Sequence, residues 1–120
     1  MNVEQYKKAT KKDNKYGAQK TMYNGELYDS KKEADYARRL QYLKHAKELK
    51  DRVVQIERQV PYSITVGKRG KVVATYFADF RVTYGDLRQE VIDVKGVRTA
   101  VYILKKKLVE EIYQISIKEV

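Results

Sequence analysis

The strongest constraint on this chain lies in its middle, where residues 62–66 and 71–82 both have strand character and Gly67-Lys68-Arg69-Gly70 separates them. The glycines and charges of that tetrapeptide suit an exposed turn, so the two stretches read as the arms of one hairpin, the second of them long. Ahead of it, residues 53–59 alternate, with Val54 and Ile56 on one side and Gln55, Glu57 and Gln59 on the other, until Pro61 interrupts the pattern. After it, Gly85-Asp86 makes a turn, and residues 88–95 form a further strand that ends at Gly96. An earlier, shorter hairpin over residues 21–29 is signalled by Asn24-Gly25, a dipeptide that readily takes the positive backbone angles of a tight turn.

Helices stand on both sides of the long hairpin in sequence. Ser30 is placed to accept from the backbone as an N-cap, and Glu33 follows three residues later in a capping-box arrangement. Tyr36, Ala37, Leu40 and Leu43 then keep helical spacing, which predicts a helix running to about residue 46 or 49. Val101, Leu104, Leu108 and Ile112 predict a second helix over 99–111, and residues 113–117 are apolar enough for a final strand. A strand, a crossover helix and a strand set the last strand parallel to an earlier one. The expected fold is therefore α/β, with a mixed sheet flanked by helices.

With 120 residues there is room for one domain and one core. Residues 1–15 carry Lys7, Lys8, Lys11, Lys12 and Lys15 with hardly any apolar pattern, and read either as a flexible basic arm or as a solubilising tail; residues 16–120 form the expected domain. The chain holds 26 Lys and Arg against 16 Asp and Glu, a formal charge of +10. Such a field attracts polyanions, with nucleic acid the default and an anionic membrane the competitor. No stretch approaches the ~20 consecutive apolar residues of a spanning helix, and no signal-peptide core is evident, so a soluble intracellular protein is expected. Without cysteine, and with His45 as the single histidine, disulfides, thiolate zinc sites and multi-histidine cages are excluded. Any chemistry must come from carboxylates, lysines and hydroxyls.

Strand parity selects the acids. Along residues 75–84, Tyr76, Ala78, Phe80 and Val82 share one face while Thr75, Phe77, Asp79 and Arg81 share the other. Aspartate is depleted in strands and costly to bury alone, so Asp79 requires a cation, a hydrogen-bond network or a metal. The same parity puts Val91, Asp93 and Lys95 together, opposite Ile92 and Val94. Two aspartates converging on one sheet face supply hard oxygen ligands for a magnesium ion, the Val94 carbonyl is placed to complete the coordination, and Lys95 adds a point charge beside a reacting phosphate. Glu33 lies on the apolar stripe of the first helix and so faces inward. The alternatives are structural: Glu33 as a capping-box residue, and Asp79, Asp93 and Lys95 as an ion pair between neighbouring strands.

Ser30-Lys31-Lys32-Glu33-Ala34, Tyr76-Phe77-Ala78-Asp79-Phe80 and Val91-Ile92-Asp93-Val94-Lys95-Gly96 together resemble the PD-(D/E)XK nucleases, in which a helix-borne glutamate precedes an aspartate and then an acid, one residue and a lysine. From about residue 15 to residue 120 the chain looks like the small phage-encoded Holliday-junction-resolvase-like family. The resemblance implies a restriction-endonuclease-like core and hydrolysis of phosphodiester bonds in branched DNA, a role in phage recombination inside the bacterial host. It implies Glu33, Asp79, Asp93 and Lys95 as catalytic residues, with Asp79, Asp93, Glu33 and the Val94 carbonyl around Mg2+, for which Mn2+ can substitute. Lys31, Lys32, Arg98, Lys105, Lys106 and Gln59 become DNA contacts, and a homodimer supplies two sites for a symmetric junction. Ala78 departs from the proline in the superfamily's name, at a position that varies widely. The rival expectations are a DNA-binding module without catalysis, and a flap, nicking or transposase-type endonuclease of the same fold.

Overall fold

The computed structural model describes residues 19–120, and the expected basic arm lies outside the described residues. The chain divides within its first helix into two compact units, Met1–Arg39 and Leu40–Val120. In the first unit, β1 (Thr21–Tyr23) and β2 (Glu26–Tyr28) form an antiparallel hairpin. Its turn residues Asn24 and Gly25 take φ of 52° and 79°, the left-handed pair that a two-residue turn demands. Helix α1 (Lys31–Tyr42) follows. The Ser30 hydroxyl accepts from the Glu33 backbone N–H at 3.0 Å, so the expected cap is present. Glu33, Ala37 and Leu40 are buried and Tyr36 and Leu43 half-buried, so the predicted stripe is the helix's inner face. The α-helix stops earlier than its spacing suggested, tightening into a 3-10 turn at Leu43–His45 before Ala46 turns extended.

The second unit is built on a four-stranded sheet with order β3-β4-β5-β6: β3 (Val53–Val66), β4 (Lys71–Tyr84), β5 (Gln89–Asp93) and β6 (Ile117–Glu119). The first three are antiparallel and β6 runs parallel to β5 after the crossover through α2 (Ala100–Tyr113). This is the expected mixed α/β architecture, compatible with a restriction-endonuclease-like core. Pro61 does not end a strand, as its position had suggested; β3 runs through it, with Pro61 paired to Phe77. Because β3 lies at the sheet edge, the N–H that proline lacks removes no ladder bond from the interior. The last strand begins at Ile117 rather than at residue 113, since α2 continues through Tyr113 and closes on Gln114 at φ 53°, whose N–H bonds back to the Glu110 carbonyl.

One face of the sheet is covered by α2. Thr99 caps the helix by accepting from the Tyr102 N–H, and Val109 enters a core of Val60, Tyr62, Ile64, Tyr76, Ala78, Val91 and Ile117. Each large apolar side chain fully buried there contributes roughly 1.5–3 kcal/mol. Ala78 and Val91 belong to this one cluster, yet Val91 pairs with Arg81, and an unbroken alternation sets residues 78 and 81 on opposite faces. The interruption coincides with Gln59, which takes φ 50° in mid-strand and stands opposite Asp79, between the pairs Arg58–Phe80 and Val60–Ala78. The residues whose spacing predicted α2, Val101, Leu104, Leu108 and Ile112, are not those it buries; all four face outward.

Candidate active site

Asp79 and Asp93 come together at the break in alternation. The β4–β5 ladder ends on the pair Phe80–Ile92, which Asp79 and Asp93 flank directly in sequence. The Asp79 carboxylate accepts from the Val94 N–H at 2.8 Å and from the Gln59 side-chain amide at 3.4 Å. Asp79 is thus clasped by the backbone just beyond β5, and this anchors one acid against the segment that bears the other.

Asp93 is fully buried, at 0 % exposure, and its carboxylate is thinly partnered: among the described residues no side chain donates a hydrogen bond to it, and the Asp79 backbone approaches it. Its nearest cation is Lys95, with Nζ 3.8 Å from Oδ1. Burial pushes the Asp93 carboxyl above its ordinary range; Lys95, the neighbouring Asp79 backbone and Lys106 pull it down, and Glu119 pushes it up. Desolvation dominates, so the site holds an acid whose charged form asks for a stronger counter-charge than the protein gives it. The Lys95 ammonium also sits over the Tyr102 ring, 4.4 Å from its centre, which fixes the cation between carboxylate and aromatic face. The Tyr102 hydroxyl is in turn raised, first by burial and then by Asp93 and Glu119.

Glu119 and Tyr102 are neighbours that the sequence did not reveal. Glu119 pairs in register with Asp93 across the parallel β5–β6 ladder and binds Arg98 at 3.0 Å and Lys106 at 3.4 Å. The signal lay in the parallel crossover, but a final strand read four residues early hid Glu119.

The remaining expected contacts divide. Lys105 donates to the Thr75 carbonyl at 3.3 Å, and Lys106 also reaches Glu110 at 3.6 Å, so these two lysines and Arg98 are engaged within the fold around Glu119 and β4. Lys31 and Lys32 lie on the exposed side of α1, with Lys31 4.0 Å from Asp35. Glu33 is buried on α1, in the first unit. The Glu57 carboxylate accepts from two of the three Arg81 guanidinium nitrogens at 2.6 and 2.8 Å, which holds its carboxyl below the usual range.

A divalent cation fits the donor set on chemical grounds. Asp93 offers two buried oxygens of the hard, anionic kind that magnesium prefers, and Asp79 adds a carboxylate beside them. Among the described residues no three Asp, Glu, His or Cys groups converge as a ready-made cage, so the protein's carboxylate share would be the two aspartates, with water completing the shell; of Val94 it is the N–H that is engaged, on Asp79.

The fold and this centre define an α/β protein with paired, lysine-flanked aspartates where β4 and β5 meet. The chain belongs to the family described as "Protein of unknown function (DUF1064)", whose model matches residues 13–119. No curated protein and no solved structure matches it. Among the described residues no helix is long and apolar enough to cross a membrane.

Proposed function

We propose that this chain is a magnesium-dependent endonuclease acting on branched DNA, with Asp79, Asp93 and Lys95 at its centre. The observation that carries the reading is the state of Asp93: a wholly buried carboxylate to which no side chain donates a hydrogen bond among the described residues, beside a lysine and a second aspartate. A structural ion pair is normally completed by hydrogen bonds to its free lone pairs, because a buried charge left bare is costly. So sparsely partnered a buried carboxylate supports a role as a cation ligand.

A bound Mg2+ supplies the site with charge neutralisation at the phosphate and a water of lowered pKa. The chain's own residues hold and orient. Asp79, fixed by the Val94 N–H and Gln59, keeps one carboxylate oriented while Asp93 contributes the second. Lys95, steadied over Tyr102, places an ammonium next to Asp93, where it can orient a nucleophilic water or balance negative charge that develops on the phosphate. The formal charge of +10 favours a polyanionic substrate.

The test is cleavage of a synthetic four-way junction with Mg2+ or Mn2+. Asp93→Ala is expected to abolish cleavage while binding persists. A wild-type protein that binds junctions and cuts none under either metal removes the catalytic reading and leaves a DNA-binding module. Cleavage of flaps or linear duplex as fast as junctions, at equal salt, reassigns the enzyme within the nuclease class.

A further inference from the structure

Helix α2 carries two apolar faces. One, through Val109, packs on the sheet; the other consists of Val101, Leu104, Leu108 and Ile112, at spacings of three and four residues, each between 39 and 63 % exposed. Side chains so spaced lie in one stripe along a helix. A continuous apolar stripe on an otherwise lysine-rich surface marks a contact site.

Several occupants compete for it. Residues 1–18 contain five lysines, and their only large apolar or aromatic side chains are Met1, Val3, Tyr6 and Tyr16, too few to match the stripe. An anionic membrane would attract Lys105, Lys106 and Lys107 but repel Glu110 and Glu111, one turn further along. A second copy resolves that conflict. The helix is basic in its middle and acidic towards its C-terminal end, so an antiparallel copy sets Lys107 of each chain alongside Glu111 of the other and opposes the two helix dipoles, whereas a parallel copy stacks like on like.

We infer that this face of α2 is where two copies of the chain pair, antiparallel, about a twofold axis near Leu108. Leu108 meets Leu108 of the second copy and Leu104 packs against its Ile112, so one patch is complementary to itself, as an isologous interface requires. The stripe with the stems of Lys107 and Glu111 falls short of the ~800 Å² per partner of a standard interface, which places the dimer in the range of modest, reversible association. The pairing stands on the surface alone; its use, two symmetric incisions in a junction, rests on the nuclease reading.

Sedimentation of the whole chain over about 1–200 μM is expected to show a concentration-dependent dimer, weakened about tenfold or more by Leu104→Lys or by Leu108→Glu. Both residues are exposed, so unchanged thermal melting of the variants keeps the comparison clean. The chain has no cysteine, and Leu108→Cys is expected to give a disulfide-linked dimer under mild oxidation while Lys68→Cys, on the hairpin turn, stays monomeric. A wild-type monomer throughout, a dimer indifferent to both substitutions, or binding to phosphatidylserine vesicles that needs Leu104 in a chain monomeric in solution overturns the inference. No DNA enters these measurements: a dimer that cuts nothing sinks only the nuclease reading, and a monomer that cuts junctions sinks only the interface.

Discussion

Asp93 keeps a carboxylate where water does not reach, and the cost shows in the direction of its titration. An acid whose carboxyl is raised on folding favours the folded state while protonated in both states, below about pH 4, and loses that advantage as pH rises through its folded pKa. Asp93→Asn is therefore expected to melt higher than wild type in EDTA at about pH 7.5, by several degrees for each ~1 kcal/mol of relieved burial, with the difference shrinking towards pH 4. Added Mg2+ is expected to raise the melting temperature of wild type, and not of Asp93→Asn, because a ligand stabilises only the state that binds it. Calorimetry across pH, with and without the metal, checks both; a variant less stable than wild type at neutral pH contradicts the account of Asp93 as a buried charge that its partners do not fully compensate.

At the scale of elements, β3 and β4 carry the arrangement, and Gln59 is its pivot. A left-handed non-glycine residue costs about 1 kcal/mol or more, and such strain gathers at functional sites. Gln59→Gly is expected to leave stability unchanged or higher by up to ~1 kcal/mol, because glycine takes that conformation freely. Cleavage should still fall, because the amide that reaches Asp79 is removed; full activity with intact folding would show that Gln59 serves the backbone alone. Much of this level was legible in the residues. Asn24-Gly25, the Ser30 cap and the α1 stripe are local signals, and the structure realises each of them. Strand parity singled out Asp79 and Asp93, but the β4–β5 register and the break in alternation beside Gln59 bring them together. What escaped depends on neighbours in space: Pro61 is tolerated only because β3 is an edge strand, Glu119 is set beside Asp93 by a parallel register, and α2 chose Val109 over its more conspicuous apolar stripe.

For the whole molecule, charge and assembly order matter most. The +10 charge predicts binding to DNA that weakens steeply with salt. The β3–β4 hairpin continues past β5 for residues 60–66 and 71–78, roughly 25 Å at the usual rise, and ends in Lys68, Arg69 and Lys71. Replacing those three by alanine is expected to reduce the slope of log affinity against log salt by up to about 3, at roughly 0.9 for each phosphate that the tip no longer neutralises; an unchanged slope in a titration from low to moderate salt would take the hairpin tip out of the interface. The segment that bears Asp93 and Lys95 is finally held by Val120, whose N–H donates to the Asp93 carbonyl at 2.9 Å and whose carbonyl accepts from the Lys95 N–H at 3.2 Å. That pairing joins residues more than twenty positions apart and ties the strand end to the last residues of the sheet. Trimming or loosening residues 117–120 is therefore expected to release the strand end that carries Asp93 and Lys95, with neither side chain itself altered.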